Sequence, residues 1–312
     1  MGFIYLNPIY ILIKVKKQNI INILPYIIGM VFIFSGISKL VSVVFFEQFI
    51  YSFGVLSLNQ AVIFARLVIA GELLIGTSYI LHIYLKQINI FSLFLLIIFT
   101  IFIVIVESTG FSNNCHCFGN IFTISNKLSV IKNILLITLS IFALTATESK
   151  IRVKSNLIFL VALITSLFVS LAVYFPSNLF SETEDADYCT TCLDDFAKKE
   201  GIVNQKKILC FFSTSCEYCL LAGKNMEVIS RKAKTNKEIL YVLWKSNKET
   251  KQFLKETNST NFNHQEMFVV DFINLTKGKM PLIILYNKSK VEHAFHYSDI
   301  NEKIILDFIG KE

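Results

Sequence analysis

The chain is poor in charge and in the residues that punctuate a backbone. Of 312 residues only 17% are charged, four are proline, twelve are glycine and one is tryptophan. With 54% hydrophobic residues and a mean hydropathy of +0.57, so little charge excludes an ordinary soluble globular protein. The net charge is +7, yet no basic stripe prepares a nucleic-acid surface, and no phosphate loop, nucleotide fingerprint or hydrolase triad is visible. No internal repeat or low-complexity block stands out. Cysteine is absent from every long apolar run: all seven cysteines lie between those runs or after them.

The apolar runs themselves come next. Five segments, 26–46, 61–84, 88–106, 129–147 and 156–175, meet the length of about 20 helical residues that a hydrocarbon core of about 30 Å requires. The N-terminal run "FIYLNPIYILI" is too short to span. It is followed by Lys14, Lys16 and Lys17 rather than by a cleavage site, so residues 1–24 read as a cytoplasmic, interfacial lead-in. Lys86 sits between spans two and three, and Lys150, Arg152 and Lys154 lie between spans four and five. Short cytoplasmic loops carry the Lys/Arg excess, so these clusters place the N-terminus in the cytoplasm. The "CHCFG" loop and everything after Pro176 then face the other side, together with all seven cysteines, in a compartment that permits disulfides.

After Pro176 the composition shifts. An acidic stretch, 177–204, contains "SETEDAD" and "DYCTTCLDD" and reads as a linker; a soluble domain with one core follows over 205–312. There, "KKILCFFSTSCEYCLLAGKNMEVISRKAKT" predicts a buried strand at 208–212, a polar turn and a helix beginning near Cys216. A C-x-x-C at such a junction has a mechanism. The first sulfur faces the positive end of the helix dipole and becomes the attacking thiolate; the second, one turn in, is shielded and resolves the mixed disulfide. Cys216 and Cys219 are therefore the candidate catalytic pair. Glu217 beside Cys216 is expected to disfavour the thiolate and make the pair more reducing. Strand "EILYVLWKS", helix "NKETKQFLKETNS", a hairpin entered at Met280-Pro281 and a last helix complete the domain.

This order resembles the thioredoxin fold over roughly 200–312. The resemblance implies that Cys216 and Cys219 are the redox pair and that Met280 and Pro281 form the cis-proline loop that presents backbone to a substrate thiol. Departures are the Glu-Tyr pair inside the motif, Ser215 before it, and Cys210 where the buried proton-shuttling acid would stand. Cys189 and Cys192 are open between a structural disulfide and a relay pair, since Asp185, Asp187, Asp194 and Asp195 oppose a low thiol pKa. Joining both pairs into one zinc site is disfavoured, because 23 residues separate them and the strand-to-helix context accounts for the second pair; no metal site is expected.

Charged side chains within spans are costly and point to function or to a partner. Lys39 lies in span one and Arg66 and Glu72 in span two, with Glu72 expected to pair with one of the two cations. "FSGISKL", "GELLIG", "CHCFGN" and "LSVIKNILL" succeed one another through spans one to four. This succession resembles the MauE family of four-helix membrane proteins, related to DoxX, over about 25–147. Lys132 stands where that pattern leads one to expect arginine before Asn133. The resemblance implies a four-helix membrane domain (25–148), extended here by a fifth span with a basic flank (149–176), in a bacterial inner membrane. The family is named for the maturation of methylamine dehydrogenase, a disulfide-rich periplasmic enzyme, and so implies disulfide chemistry.

Together these features predict a membrane α-helical bundle followed by an α/β thioredoxin-like domain that carries out thiol–disulfide exchange. The partners are exported proteins bearing thiols or disulfides, the lipid bilayer and a membrane quinone, with no tightly bound cofactor. Electrons would pass from substrate dithiols through Cys216 and Cys219 to Cys115 and Cys117, whose C-x-C disulfide closes a small strained ring and so oxidises well. They would end on a quinone held near Lys39, Arg66 and Glu72. The alternatives are a non-catalytic maturation factor that docks an exported partner, and a soft-metal protein using Cys115, His116 and Cys117.

Overall fold

The computed structural model describes residues 8–108, 126–146, 155–172, 186–244 and 247–310. The chain divides into two compact units, Met1–Phe49 with Phe64–Phe175, and Ile50–Ile63 with Pro176–Glu312.

The first half of the chain is helical: α1 (Pro8–Val41), α2 (Val43–Tyr51), α3 (Leu58–Ile80), α4 (Leu85–Ser108), α5 (Asn126–Ala146) and α6 (Ser155–Ala172). Within these, Ile23–Val41, Leu58–Ile80 and Leu85–Ile105 are long and apolar enough to cross a membrane, and Ser129–Leu144 and Asn156–Ala172 are shorter apolar stretches. The apolar surface is turned outward, with Met30, Phe94, Leu157 and Phe168 all exposed, as lipid-facing helices require. The protein is a membrane protein.

The backbone of α1 runs unbroken from Pro8 through the stretch read as a lead-in and carries Pro25 inside it, with the candidate span beginning at Ile23. The span expected at 26–46 is two helices. Ser42 donates its hydroxyl to the Ser38 carbonyl at 3.1 Å, while its own carbonyl accepts from Phe45 and Phe46, ending one helix and starting the next.

Small residues set the packing of α1 on α3. A Cβ at Gly29 would lie 2.8 Å from the Gly76 carbonyl, and one at Gly76 would lie 2.6 Å from the Ile33 side chain, so the two backbones touch. Buried hydroxyl and amide groups bind other helices together. Tyr79 donates to Asn89 at 2.7 Å, and Asn89 donates to the Ser140 carbonyl at 3.0 Å, linking α3, α4 and α5. The Ser170 hydroxyl donates to the Arg66 carbonyl at 2.6 Å, tying α6 to α3.

The second unit is an α/β domain. Its elements are α7 (Thr190–Lys199), β1 (Lys206–Phe212), α8 (Glu217–Ala233), β2 (Ile239–Trp244), α9 (Asn247–Glu256), β3 (Asn263–Met267), α10 (Val269–Thr276), β4 (Leu282–Asn287), β5 (Lys290–Phe295), a 3-10 turn at Tyr297–Asp299 and α11 (Glu302–Gly310). The sheet order is β3-β2-β1-β4-β5, with β1, β2 and β3 parallel and β4 and β5 antiparallel. β1 is central and its last five residues are buried, as the apolar run "ILCFF" predicts for a strand covered on both faces. On one face Phe211 meets Phe196 of α7 and Phe272 of α10; on the other Phe212 meets Tyr241 and Phe253 of α9. The thioredoxin resemblance is borne out by this sheet and by the helix that follows its central strand.

Residues 50–63 belong to this second unit. Arg231 donates to the Ser52 carbonyl and Lys232 to the Leu56 carbonyl, each at 2.7 Å, and Glu302 accepts both the Leu58 amide and the Lys232 ammonium.

Two features differ from the sequence reading. β3 and α10 are additional elements between α9 and the hairpin. Residues 186–205, read as linker, belong to the fold. The Ala186 amide donates to Ala294, the Cys189 amide donates to Leu275, and Leu193, Phe196 and Ala197 enter the core at the i, i+3, i+4 spacing of an amphipathic helix.

Candidate active site

Cys216 sits where the C-terminal end of β1 turns into α8. It is the N-cap residue of that helix, in extended conformation (φ −90°, ψ 120°), and its Sγ accepts a hydrogen bond from the Cys219 amide at 3.3 Å. A thiolate here meets the unsatisfied amides of the first turn and the positive end of the helix dipole. A hydrogen bond from the Cys219 side chain, with the Cys219 and Tyr218 amides, brings the Cys216 pKa down to about 6 against the opposing pull of burial and of Glu217. The lowered pKa expected at the helix start and the sign expected for Glu217 both hold, but Glu217 is the smallest of these effects and does not set the balance of the pair. Stabilising the thiolate stabilises the reduced form and makes the pair a better oxidant, not a worse one.

Cys219 is fully buried, and its Sγ accepts from the Ser213 amide at 3.4 Å. Burial, followed by the neighbouring Cys216 sulfur, pushes its pKa well up. The two thiols are free, one half-buried and acidic, the other enclosed and protonated. That asymmetry suits an attacking and a resolving sulfur.

The Met280-Pro281 bond is cis, and Pro281 leads directly into β4, whose Leu282 pairs with Phe211 of β1. The loop therefore lies at the same end of the sheet as Cys216. His296 Nδ1 is 3.0 Å from the Pro281 carbonyl, and Tyr297 meets the exposed ring of Tyr218 at a tilt, 5.2 Å between centroids. Cys210 lies on β1, wholly buried, its thiol donating to Ile208 at 3.9 Å and pushed up in pKa by burial.

Cys189 and Cys192 form a disulfide. Cys189 is the N-cap of α7, with its Sγ accepting from the Cys192 amide at 3.3 Å, the same cap that Cys216 makes. Cys115 and Cys117 lie outside the described residues.

The membrane polar residues resolve into two ion pairs. Lys39 lies 2.6 Å from both carboxylate oxygens of Glu72 and donates to Ser35 at 2.8 Å. Arg66 instead takes Glu47, at 2.8 Å, and donates to the Ser170 carbonyl at 2.9 Å. Lys39 and Arg66 are both buried, so neither reaches the surface as a snorkelling side chain would. A void of about 10 Å³, bordered by Ser35, Glu72, Phe99, Lys132 and Asn133, adjoins the Lys39–Glu72 pair and has room for about one water molecule.

Residues 17–146 match the family model described as Methylamine utilisation protein MauE. The match falls on the segment where the succession of motifs resembles that family, so the MauE resemblance is borne out. Protein TlpB of Flavobacterium psychrophilum is 24% identical over 326 residues, covering 85% of this chain and 88% of that protein. Among solved structures, a secreted Mycobacterium tuberculosis disulfide oxidoreductase homologous to E. coli DsbE aligns with a TM-score of 0.29 at 9% identity, over 35% of this chain and 84% of that one.

The MauE-matched segment contains both Lys39–Glu72 and Arg66–Glu47. Glu47 escapes a sequence reading that ends the first span at residue 46, although a carboxylate in "FFEQF" is the signal that would find it. Ser213 escapes because its contribution is a backbone amide. His296 escapes because its contact with the cis-proline loop depends on β5 lying beside β4.

Proposed function

We propose that the protein is a membrane-anchored thiol–disulfide oxidoreductase that forms disulfides in exported proteins. The observation that carries this reading is the Cys216/Cys219 pair, an acidic N-cap sulfur beside a buried, protonated partner at the end of the strand next to the cis-proline loop. A docking factor without chemistry would not require that asymmetry.

In the oxidised form a substrate thiolate attacks Cys216, displacing Cys219. The second substrate thiol then attacks its partner sulfur in the mixed disulfide and releases the Cys216 thiolate. The substrate leaves as a disulfide and the pair is left as the dithiol. A disulfide between Cys115 and Cys117 takes the two electrons by the same exchange and passes them, with two protons, to a membrane quinone, which becomes the quinol. The proposed topology has five spans with the N-terminus cytoplasmic, supported by the five apolar helical stretches and the basic clusters of the sequence. In it the membrane domain covers 25–148, the fifth span 149–176, and the redox domain stands outside the cytoplasm.

Cys219→Ala removes the resolving sulfur and should leave exported proteins disulfide-linked to Cys216 in cells; recovering no such adducts would sink the reading. Cys115→Ser should leave Cys216 and Cys219 trapped as the dithiol, and finding that pair fully oxidised would break the relay to the membrane.

A further inference from the structure

The second C-x-x-C repeats the geometry of the first on the opposite face of the same sheet. Cys189 caps α7 as Cys216 caps α8, each sulfur accepting from the amide three residues on at 3.3 Å. α7 is a ten-residue helix, so a thiolate released at Cys189 faces a helix N-terminus and leaves readily. Cys189 and Cys192 are only partly buried, as Cys216 is, and the Cys189 sulfur lies 3.4 Å from the Thr191 hydroxyl.

The position of the pair is equally specific. The Cys189 amide donates to the Leu275 carbonyl at 2.9 Å, and the Lys277 ammonium meets the Asp187 carboxylate at 2.5 Å. Cys192 and Met280 pack against the same core cluster. The disulfide is thus held against the strip 275–281 that ends in the cis-proline. The start of β4 brings that strip beside Phe211, two residues from the Ser213 amide that binds Cys219. One loop therefore has a redox-competent dithiol on one side and a disulfide on the other.

We propose that Cys189–Cys192 is a second redox centre, which accepts electrons from Cys216/Cys219 within the domain. The Cys216 thiolate attacks one sulfur of the Cys189–Cys192 bond and displaces the other as a thiolate. Cys219, losing its proton, then attacks Cys216 and expels the remaining thiolate. A disulfide forms at Cys216–Cys219, Cys189 and Cys192 become the dithiol by taking up the Cys219 proton and one from solvent, and two electrons have moved. This rests on the oxidoreductase reading and makes the domain a store of two disulfides.

The test uses the full-length chain in detergent with Cys115→Ser and Cys117→Ser, so that only the domain's own cysteines exchange. Adding Cys192→Ala and Cys219→Ala removes the leaving and resolving sulfurs. Mild oxidation followed by non-reducing peptide mapping should then give a Cys189–Cys216 link as the main product. With Cys189 and Cys192 both present, stepwise reduction should open Cys189–Cys192 at a dithiol concentration within about tenfold of that which opens Cys216–Cys219. Absence of the link, or a Cys189–Cys192 bond that survives when Cys216–Cys219 is fully reduced, overturns the proposal and leaves a structural staple. Rapid alkylation of Cys216 at pH 7 in the same samples shows that the oxidoreductase reading stands apart from that failure; slow alkylation would overturn both.

Discussion

The Lys39 ammonium lies 2.6 Å from each carboxylate oxygen of Glu72, and neither side chain is more than about a tenth exposed. Removing one member leaves the other charged and buried, which costs about 3–5 kcal/mol, whereas replacing both with apolar residues of similar volume is tolerated far better. Glu72→Leu and Lys39→Met should each lower the melting temperature of the detergent-purified chain sharply, and the double variant should recover most of the loss. Additive losses in the double variant would show that the two charges act separately.

The depressed pKa of Cys216 sets a pH profile. The thiolate is the reactive form, so the alkylation rate should rise as pH passes through about 6 and level off by about pH 8, where an ordinary thiol near 9 is still mostly protonated. Burial keeps Cys219 out of this range, and it should stay unlabelled throughout. A midpoint near 9 would remove the basis for calling Cys216 the nucleophile.

Gly223 on α8 has no room for a side chain. A Cβ there would stand 2.7 Å from the Thr257 methyl and 3.3 Å from the Phe253 ring. Gly223→Ala should destabilise the α/β domain by about 1–3 kcal/mol through overpacking. Gly201 has nothing within 4 Å, but its φ is +65°, so Gly201→Ala should cost less and through backbone strain alone. Chemical denaturation of the full chain, followed by the fluorescence of Trp244, would rank the two.

Arg66 tests the attachment of α6. It donates to the Ser170 carbonyl, and Ser170 donates back to Arg66. Arg66→Met should leave Glu47 buried without its cation and loosen α6, seen as a lower melting temperature of the detergent-purified chain. An unchanged melting temperature would mean that apolar packing alone holds the helix.

The parts of the domain that could be read from sequence are those whose signal is local. β1 announces itself as an apolar run, and α8 as a helix opening on a cysteine. β3 is "NHQEM", polar for most of its length and paired only with β2, so no periodicity marks it. α10 is eight residues long, with Val270 exposed and Phe272 buried, too short to show a clear stripe. α7 did carry a legible pattern in Leu193, Phe196 and Ala197, masked by the acidic residues around it. In the membrane half the apolar helices were legible from composition, and so was the need of Glu72 for a cation, but not which cation it takes or that Arg66 takes Glu47. Lys39 with Glu72 and Arg66 with Glu47 depend on helix rotation, which hydropathy does not encode.

The contact of Gly29 with Gly76 bears on how this half of the chain is made. Two helices whose backbones touch need no water to drive them together, since close packing holds them as well in lipid as in an aqueous core. α1 and α3 can therefore be inserted one after the other and find each other sideways in the bilayer, before the α/β domain has been synthesised. The order of the chain places both helices ahead of that domain, so their contact can form first.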